Sequence, residues 1–324
     1  MPTQELLVKN LKVSFNTSQK ELMAVRGISY QLNKGEILAL VGESGCGKTV
    51  SALSILRLIQ EPPGKIVSGE ILFSGIDLLK LNEKELQNRR GKDIAIIFQD
   101  PMTSMNPVLT IGEQIAETIL RHTSLSRKES RNKSIELLKQ VEIPFPEQKI
   151  DQYPHQLSGG MRQRAMIAMA LSCSPRILIA DEPTTALDVL IQEQILSLLS
   201  KIKRDTQMSI LLITHDLGVV AELAERVMVM YAGEIVESGS VRELFHSPLH
   251  PYTLGLIESV PTLGAGQQKL SRLKEISGTV PTPSQLPSGC SFHPRCTSAE
   301  PRCMAEKPKL RSVSQTHSVS CWLH

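Results

Sequence analysis

Ile37-Leu38-Ala39-Leu40-Val41-Gly42-Glu43-Ser44-Gly45-Cys46-Gly47-Lys48-Thr49-Val50 is the stretch from which the fold can be read. Five apolar residues closed by a glycine have the pattern of a strand buried on both faces. Gly42 to Thr49 fits G-x-x-x-x-G-K-[ST], and Val50 to Ile59 reads as a helix. In that order the glycines let consecutive backbone N–H groups curl toward phosphate oxygens, and the positive end of the helix faces the same anion. Lys48 is placed for β- and γ-phosphates and the Thr49 hydroxyl for Mg2+. A glycine-rich turn without a ligand is the bland alternative, and the joint presence of strand, loop and helix weighs against it. Cys46 reads as a tolerated small residue whose backbone, not its thiol, is used.

Outward from this loop, buried strands alternate with helical stretches. Ile94 to Phe98, Ile177 to Ala180 and Ile210 to Ile213 repeat the short apolar run, and Val227 to Tyr231, Ala232-Gly233 and Glu234 to Val236 read as a hairpin. Helical stretches such as Val189 to Lys203 lie between, so the pattern predicts a parallel sheet in an α/β layer arrangement. The stretch from Pro101 to Leu157 breaks the alternation. It is polar with helical spacing, as in Ser134 to Val141, and is assigned to an inserted helical subdomain.

Composition narrows the class. The 324 residues allow two domains, or one with an appendage. A hydrophobic share of 41% suffices for a sizeable core. The longest apolar run, Ala165 to Leu171, is far short of the roughly 20 residues a membrane span needs. The first residues have neither a basic nor an apolar signal region, which predicts a soluble, cytosolic chain. A formal charge of +3 and 3% aromatics offer little to nucleic acid.

Two further patterns carry chemistry. Ile177-Leu178-Ile179-Ala180 ends in Asp181-Glu182, carboxylates at the C-terminal end of a parallel strand, where such sheets bind ligands. Asp181 would hold Mg2+ and Glu182 would orient or deprotonate an attacking water. Alone, the pair would read equally well as a helix cap ahead of Pro183. Leu157-Ser158-Gly159-Gly160-Met161 opens a helix running to about Cys173, with Ser158 as N-cap. Two glycines in its first turn cost roughly 1 kcal/mol each, which suggests that something approaches the backbone closely. This is a second place for an anion in a chain that already has a phosphate loop.

With these residues in hand, the sequence resembles the ATP-binding subunits of ABC transporters. The phosphate loop, Gln99 after an apolar strand, Ser158-Gly159-Gly160-Met161, Asp181-Glu182, Thr185-Ala186-Leu187-Asp188 and His215 follow that family's order and spacing over most of residues 1 to 240. Met161 replaces the family's usual Gln, a variant of its peptide-importer branch. The resemblance implies an ABC-type P-loop nucleotide-binding domain over 1–240, with 101–157 inserted, and a head-to-tail pair of such domains with ATP between them. The phosphate loop of one chain and Ser158, Gly159, Gly160 and Met161 of the other would hold each γ-phosphate, with Asp188 in the adjoining loop. It also implies that Phe15 stacks on adenine with Val25 nearby, that Thr49, Gln99 and Asp181 serve Mg2+, and that Glu182, His215 and Gln99 carry hydrolysis. Phe15 as an ordinary strand residue and His215 as a satisfied core histidine are the competing readings.

Within that family the likeness is to the dipeptide/oligopeptide importer branch, which includes nickel importers, and most to the D-type chain of dipeptide systems. Tyr153-Pro154-His155-Gln156, Met230-Tyr231-Ala232-Gly233 and His250-Pro251-Tyr252-Thr253 carry it, together with a C-terminal extension at 241–324. The resemblance implies a second, different ATP-binding subunit, two membrane permease subunits, an extracytoplasmic peptide-binding protein and a place on the cytoplasmic face of the membrane. Nickel or another solute as cargo, and a soluble ABC ATPase, are the alternatives. The last segment, Pro261 to His324, holds 8 basic and 3 acidic residues, many prolines, and Cys290, Cys296, Cys303 and Cys321. It reads as a compact appendage with little apolar surface to bury. Disulfides do not suit a reducing compartment. Gaps of 5, 6 and 17 residues do not suit paired zinc ligands. A [4Fe–4S] cluster tolerates such spacing and is implied for some family members, so a cluster, zinc and free thiols stay open, the cluster first.

Overall fold

The computed structural model describes residues 3–17, 20–185, 187–260 and 276–324. Ala186 of the Thr185–Asp188 stretch and residues 261–275 of the tail lie outside the described residues. In chain order the strands are β1 (Gln4–Asn16), β2 (Glu21–Asn33), β3 (Ile37–Val41), β4 (Gly64–Phe73), β5 (Ile76–Asp77) and β6 (Ile94–Ile97). They continue with β7 (Ile177–Asp181), β8 (Ser209–Thr214), β9 (Arg226–Tyr231), β10 (Glu234–Ser240), β11 (Arg311–Ser312) and β12 (Ser318–Val319). The helices are α1 (Lys48–Ile55), α2 (Glu83–Gln87), α3 (Pro101–Ser104), α4 (Ile111–His122), α5 (Arg127–Gln140) and α6 (Pro146–Lys149). After them come α7 (Gly159–Leu171), α8 (Val189–Thr206), α9 (Leu217–Leu223), α10 (Val241–His246), α11 (Pro251–Glu258) and α12 (Pro301–Ala305).

The chain divides into two compact units. One comprises the residues up to Glu5, Leu32–Glu36 and Leu78–Ile213; the other comprises Leu6–Gln31, Ile37–Asp77 and Thr214–His324.

In the first unit, β6, β7 and β8 pair in parallel, with Ile94 opposite Ile177 and Ile177 opposite Ser209. Every residue of β7 is buried. Because such strands are covered on both faces, each large side chain contributes about 1.5–3 kcal/mol of burial, and polar residues are displaced to the strand ends. Ile195, Leu196, Leu198, Leu199 and Ile202 form the buried stripe of α8. The polar stretch after Pro101 is helical, and two of its helices begin with reciprocal caps, Thr110 with Glu113 and Ser126 with Glu129.

In the second unit, β3 pairs in parallel with β9, and β9, β10, β12 and β11 continue as antiparallel neighbours. A four-stranded sheet in the order β2-β1-β4-β5 includes the long N-terminal strands, for which the sequence offered no clean alternation. The helix after the phosphate loop covers Lys48 to Ile55, earlier at both ends than the predicted Val50 to Ile59.

The expectation for the tail is corrected. Tyr252 and Phe292 are buried in one core with Ala39, Val41, Val227, Val229 and Tyr231. The Tyr231 ring meets the Tyr252 ring at 4.7 Å and the Phe292 ring at 5.3 Å. Strand β12 pairs with β10, Glu237 opposite Val319. Glu237 is fully buried and accepts from the backbone N–H groups of Leu249 and His250, at 2.8 and 2.9 Å, and its carboxylate lies 2.7 Å from His317 Nε2. The extension is therefore held by apolar burial and strand pairing, because a few aromatic residues supply the surface that its many prolines do not.

Candidate functional site

The phosphate loop is held from both ends by its own unit. Gly42, at φ 151°, has the Met230 carbonyl oxygen in the space a Cβ would fill, and a Cβ on Gly47, at φ 105°, would lie 2.6 Å from the Ala24 carbonyl oxygen. These two glycines are demanded by packing as well as by backbone conformation. Gly233 in the β9–β10 turn donates its N–H to the Cys46 carbonyl at 2.9 Å. Lys48 is 5% exposed, and its ammonium donates to the Gly42 and Glu43 carbonyls at 2.7 and 3.1 Å. The loop thus fixes its lysine with backbone oxygens, and α1 begins without a side-chain cap. Cys46 is buried, and burial pushes its thiol upward against the pull of Lys48.

Around the other phosphate-loop residues, Thr49 and Ser44 are exposed, and Phe15, near the end of β1, is half-buried opposite Gly64. Val25, expected beside an adenine, is fully buried in β2, so its side chain is a core group in this arrangement. His215 is exposed just after β8, which disposes of the core-histidine reading.

In the first unit, β7 delivers Asp181 and Glu182 as buried carboxylates at its C-terminal end. Glu182 has a left-handed backbone, φ 47°, an uncommon state for a residue with a side chain and one that collects at functional sites. Its N–H donates to the Ile213 carbonyl at 2.8 Å. Its carboxylate accepts from Gln99 Nε2 at 2.9 Å and from Thr185 Oγ1 at 2.8 Å. Gln99 and Glu182 are thereby brought together across 83 positions of sequence. Thr185 was quoted in the sequence without this role; a hydroxyl three residues after a strand-end carboxylate was the available signal.

At the head of α7, Ser158 Oγ accepts from the Met161 N–H at 3.3 Å, as expected of an N-cap. The two glycines differ. A Cβ on Gly159 would find only Leu187, at 3.9 Å, whereas one on Gly160 would stand 2.8 Å from Ile191 Cγ2. Gly160 is explained by packing against α8; Gly159 has no packing reason and leaves its backbone accessible. Asp188 caps α8 by accepting from the Ile191 N–H at 2.9 Å.

Cys290, Cys296, Cys303 and Cys321 line one small enclosed space with His250, Phe292 and Trp322, and all are free thiols. Burial raises the thiols of Cys290, Cys296 and Cys321. The N–H groups of Phe292, Ser298 and Leu323, each two residues further on, act against it. Among the described residues no group of three or more His, Cys, Asp or Glu is placed to hold a metal ion. The arrangement therefore gives the expected metal site no direct support. Among the described residues no helix is long and apolar enough to cross a membrane.

Sequence reasoning assigned no role to two residues that touch the phosphate loop. Tyr252 Oη accepts from the Glu43 N–H at 2.9 Å, and Arg295 forms a bidentate pair with the Glu43 carboxylate at 2.7 and 3.0 Å. Tyr252 stood in a quoted motif; no local signal marks Arg295.

Residues 25–185 match the family described as ABC transporter, and residues 236–303 match the oligopeptide/dipeptide transporter C-terminal region. The chain is 51% identical over 322 residues, 99% of its length and 89% of the relative's, to the oligopeptide transport ATP-binding protein OppD of Bacillus subtilis. It is 51% identical over 318 residues, 98% of its length and 94% of the relative's, to the dipeptide transport ATP-binding protein DppD of the same organism. Among solved structures, a dimeric ATP-binding cassette in a post-hydrolysis state, bound to ADP and Pi, matches with a TM-score of 0.66 at 30% identity, covering 73% of this chain and 99% of that one. The cbiO1 protein of Clostridium perfringens, part of an ABC transporter complex, matches with a TM-score of 0.63 at 27% identity, covering 76% and 92%.

Proposed function

The chain belongs to the ABC transporter family, in the branch that carries the oligopeptide/dipeptide C-terminal region, and from that we propose that it is the ATP-hydrolysing subunit of an importer of di- and oligopeptides. The observation that carries the hydrolytic part is Glu182, a buried carboxylate in a strained backbone, aimed by Gln99 and Thr185. The match at 236–303 and the names of the relatives support peptide as the cargo.

In this reading Gly42 to Val50 wrap the triphosphate, Lys48 offsets its negative charge, and Phe15 stacks on the base. Thr49, Gln99 and Asp181 would hold Mg2+, which would supply positive charge against the phosphates. Glu182 orients the attacking water and accepts its proton, and His215 donates a hydrogen bond to the γ-phosphate. Phosphoryl transfer of this kind is catalysed by positioning and charge neutralisation, and the chain offers groups for both. Ser158, Gly159, Gly160 and Met161, with Asp188 beside them, serve the nucleotide held by a second, different ATP-binding subunit. Two permease subunits and an extracytoplasmic binding protein complete the assembly, with this chain peripheral on the cytoplasmic face.

The four cysteines enter the proposal as ligands of a [4Fe–4S] cluster. That reading rests on the family resemblance and on the four cysteines lining one space. Such a group would supply cross-linking of the tail. Iron and acid-labile sulfide counted in protein prepared without oxygen test it; colourless protein with stoichiometric zinc reverses the assignment.

The function is tested by reconstituting the chain with its permease subunits and binding protein in vesicles and following ATP-dependent uptake of labelled di- and oligopeptides. Uptake of nickel instead of peptide would move the cargo to the other member of the branch. Failure to assemble with any membrane subunit would favour a soluble ATPase.

A further inference from the structure

The phosphate loop is tied at its second residue to the C-terminal extension. Glu43 uses three of its groups for this corner. Its N–H donates to Tyr252 Oη at 2.9 Å, its carbonyl accepts from Lys48 Nζ at 3.1 Å, and its carboxylate pairs with Arg295 at 2.7 and 3.0 Å. The Arg295 side chain is only 5% exposed, against 32% for Glu43. Its remaining donors are also used. Nε donates to the Ser277 carbonyl at 2.9 Å, Nη2 to the Ile276 carbonyl at 3.2 Å, and Nη1 to Tyr231 Oη at 3.4 Å. The guanidinium also lies 5.8 Å from the centre of the Tyr231 ring. An arginine whose planar fork is matched on every side is a rigid strut, because no donor is free to draw it elsewhere.

We infer that Arg295 and Tyr252 are positioning residues for the nucleotide: they hold the Glu43 corner of the phosphate loop, and the extension thereby sets the affinity for ATP. The inference rests on the reading of Gly42 to Thr49 as the ATP loop. The loop binds phosphate through the direction of successive N–H groups, so its shape must exist before the ligand arrives. Glu43 is where the loop leaves β3, and its N–H is already committed to Tyr252. Releasing its carboxylate frees the one side chain between Gly42 and Cys46 that is anchored outside the loop. Arg295 also directly precedes Cys296, so the cysteine pocket and the loop corner are joined by a single peptide bond.

The test uses the full-length chain, a fluorescent ATP analogue for binding, and steady-state phosphate release for KM and kcat. Arg295→Met is expected to weaken analogue binding and raise KM for ATP by roughly five- to thirtyfold, the factor carried by one charge-assisted pair, with kcat changed less than about threefold in protein that remains folded at the assay temperature. Arg295→Lys, which keeps the charge but not the fork, recovers part of the loss. Combined with Glu43→Gln, Arg295→Met adds little further. Equal affinity in a folded Arg295→Met protein overturns the inference. If Arg295→Met does not fold, Tyr252→Phe decides, since it keeps the ring in the core and removes only the acceptor: weakened binding supports the inference and unchanged binding overturns it. Failure of the unmodified chain to bind the analogue overturns the reading of the loop instead.

Discussion

The Gln99 side-chain amide donates to the Glu182 carboxylate over 2.9 Å, so the end of β6 and the end of β7 share one acid. A second oxygen-directed bond from Thr185 leaves that carboxylate few orientations. An acid fixed in this way is ready to receive a proton from water without reorganisation.

Replacing that acid by its amide is expected to separate binding from chemistry. Glu182→Gln retains the shape and one acceptor oxygen but cannot take a proton. Phosphate release should fall by about 100-fold or more, while binding of an ATP analogue stays within a few-fold. Undiminished turnover would remove Glu182 from the proposed role.

The two glycines at the head of α7 should respond differently. Alanine at 159 meets only an ordinary contact with Leu187, so Gly159→Ala should leave the melting temperature unchanged or slightly higher. Alanine at 160 is forced against Ile191 Cγ2 and should cost about 1–3 kcal/mol. If Gly159 serves a nucleotide in the partner, Gly159→Ala loses turnover despite its full stability. Wild-type turnover in that variant would count against a backbone role there.

Phe292 tests whether the tail is an appendage or part of the core. Buried against Tyr231 and Tyr252, its truncation in Phe292→Ala should destabilise by about 3–5 kcal/mol in urea unfolding. A loss below 1 kcal/mol would return the tail to the status of a loosely attached segment.

His250 gives the chain a pH dependence with a definite sign. Burial, helped by the positive charge of His324, pushes its imidazole down to about 4. Nδ1 accepts the Tyr252 N–H at 3.1 Å, a bond the neutral ring can make and the doubly protonated ring cannot. The unfolded chain takes up a proton near the ordinary value of about 6.5. Its contribution is therefore present above that pH and is lost as pH falls toward 4, amounting to about 2–3 kcal/mol. Urea midpoints at pH 7.5 and 5 should show the loss. His250→Asn, which preserves a helix-capping acceptor without titrating, should flatten it. An unchanged slope in that variant would assign the acid sensitivity to other groups.

Much of this was legible in the chain itself. β3, β6, β7 and β8 coincide with the four apolar runs to within one residue at either end, because a strand buried on both faces has to be apolar throughout. The phosphate loop and the Ser158 cap depend on local backbone chemistry and can be read locally. The long strands β1 and β2 could not be read in this way, since mixed exposure along both strands and register shifts between β1 and β4 blur the period of two. Gln99 could be listed as a candidate, but its bond to Glu182 depends on two strand ends meeting in space.

What the order of residues determined by itself was the class of chemistry: glycines, a lysine, a hydroxyl and strand-end acids at spacings that only a phosphate site requires. Tertiary structure alone decided which of those residues are constrained by neighbours. It set Gly160 against Ile191, placed Val25 in the core, and put Arg295 on Glu43 across 252 positions. The reason is that backbone conformation is encoded within a few residues, whereas an ion pair or a close packing contact depends on distances that folding brings about.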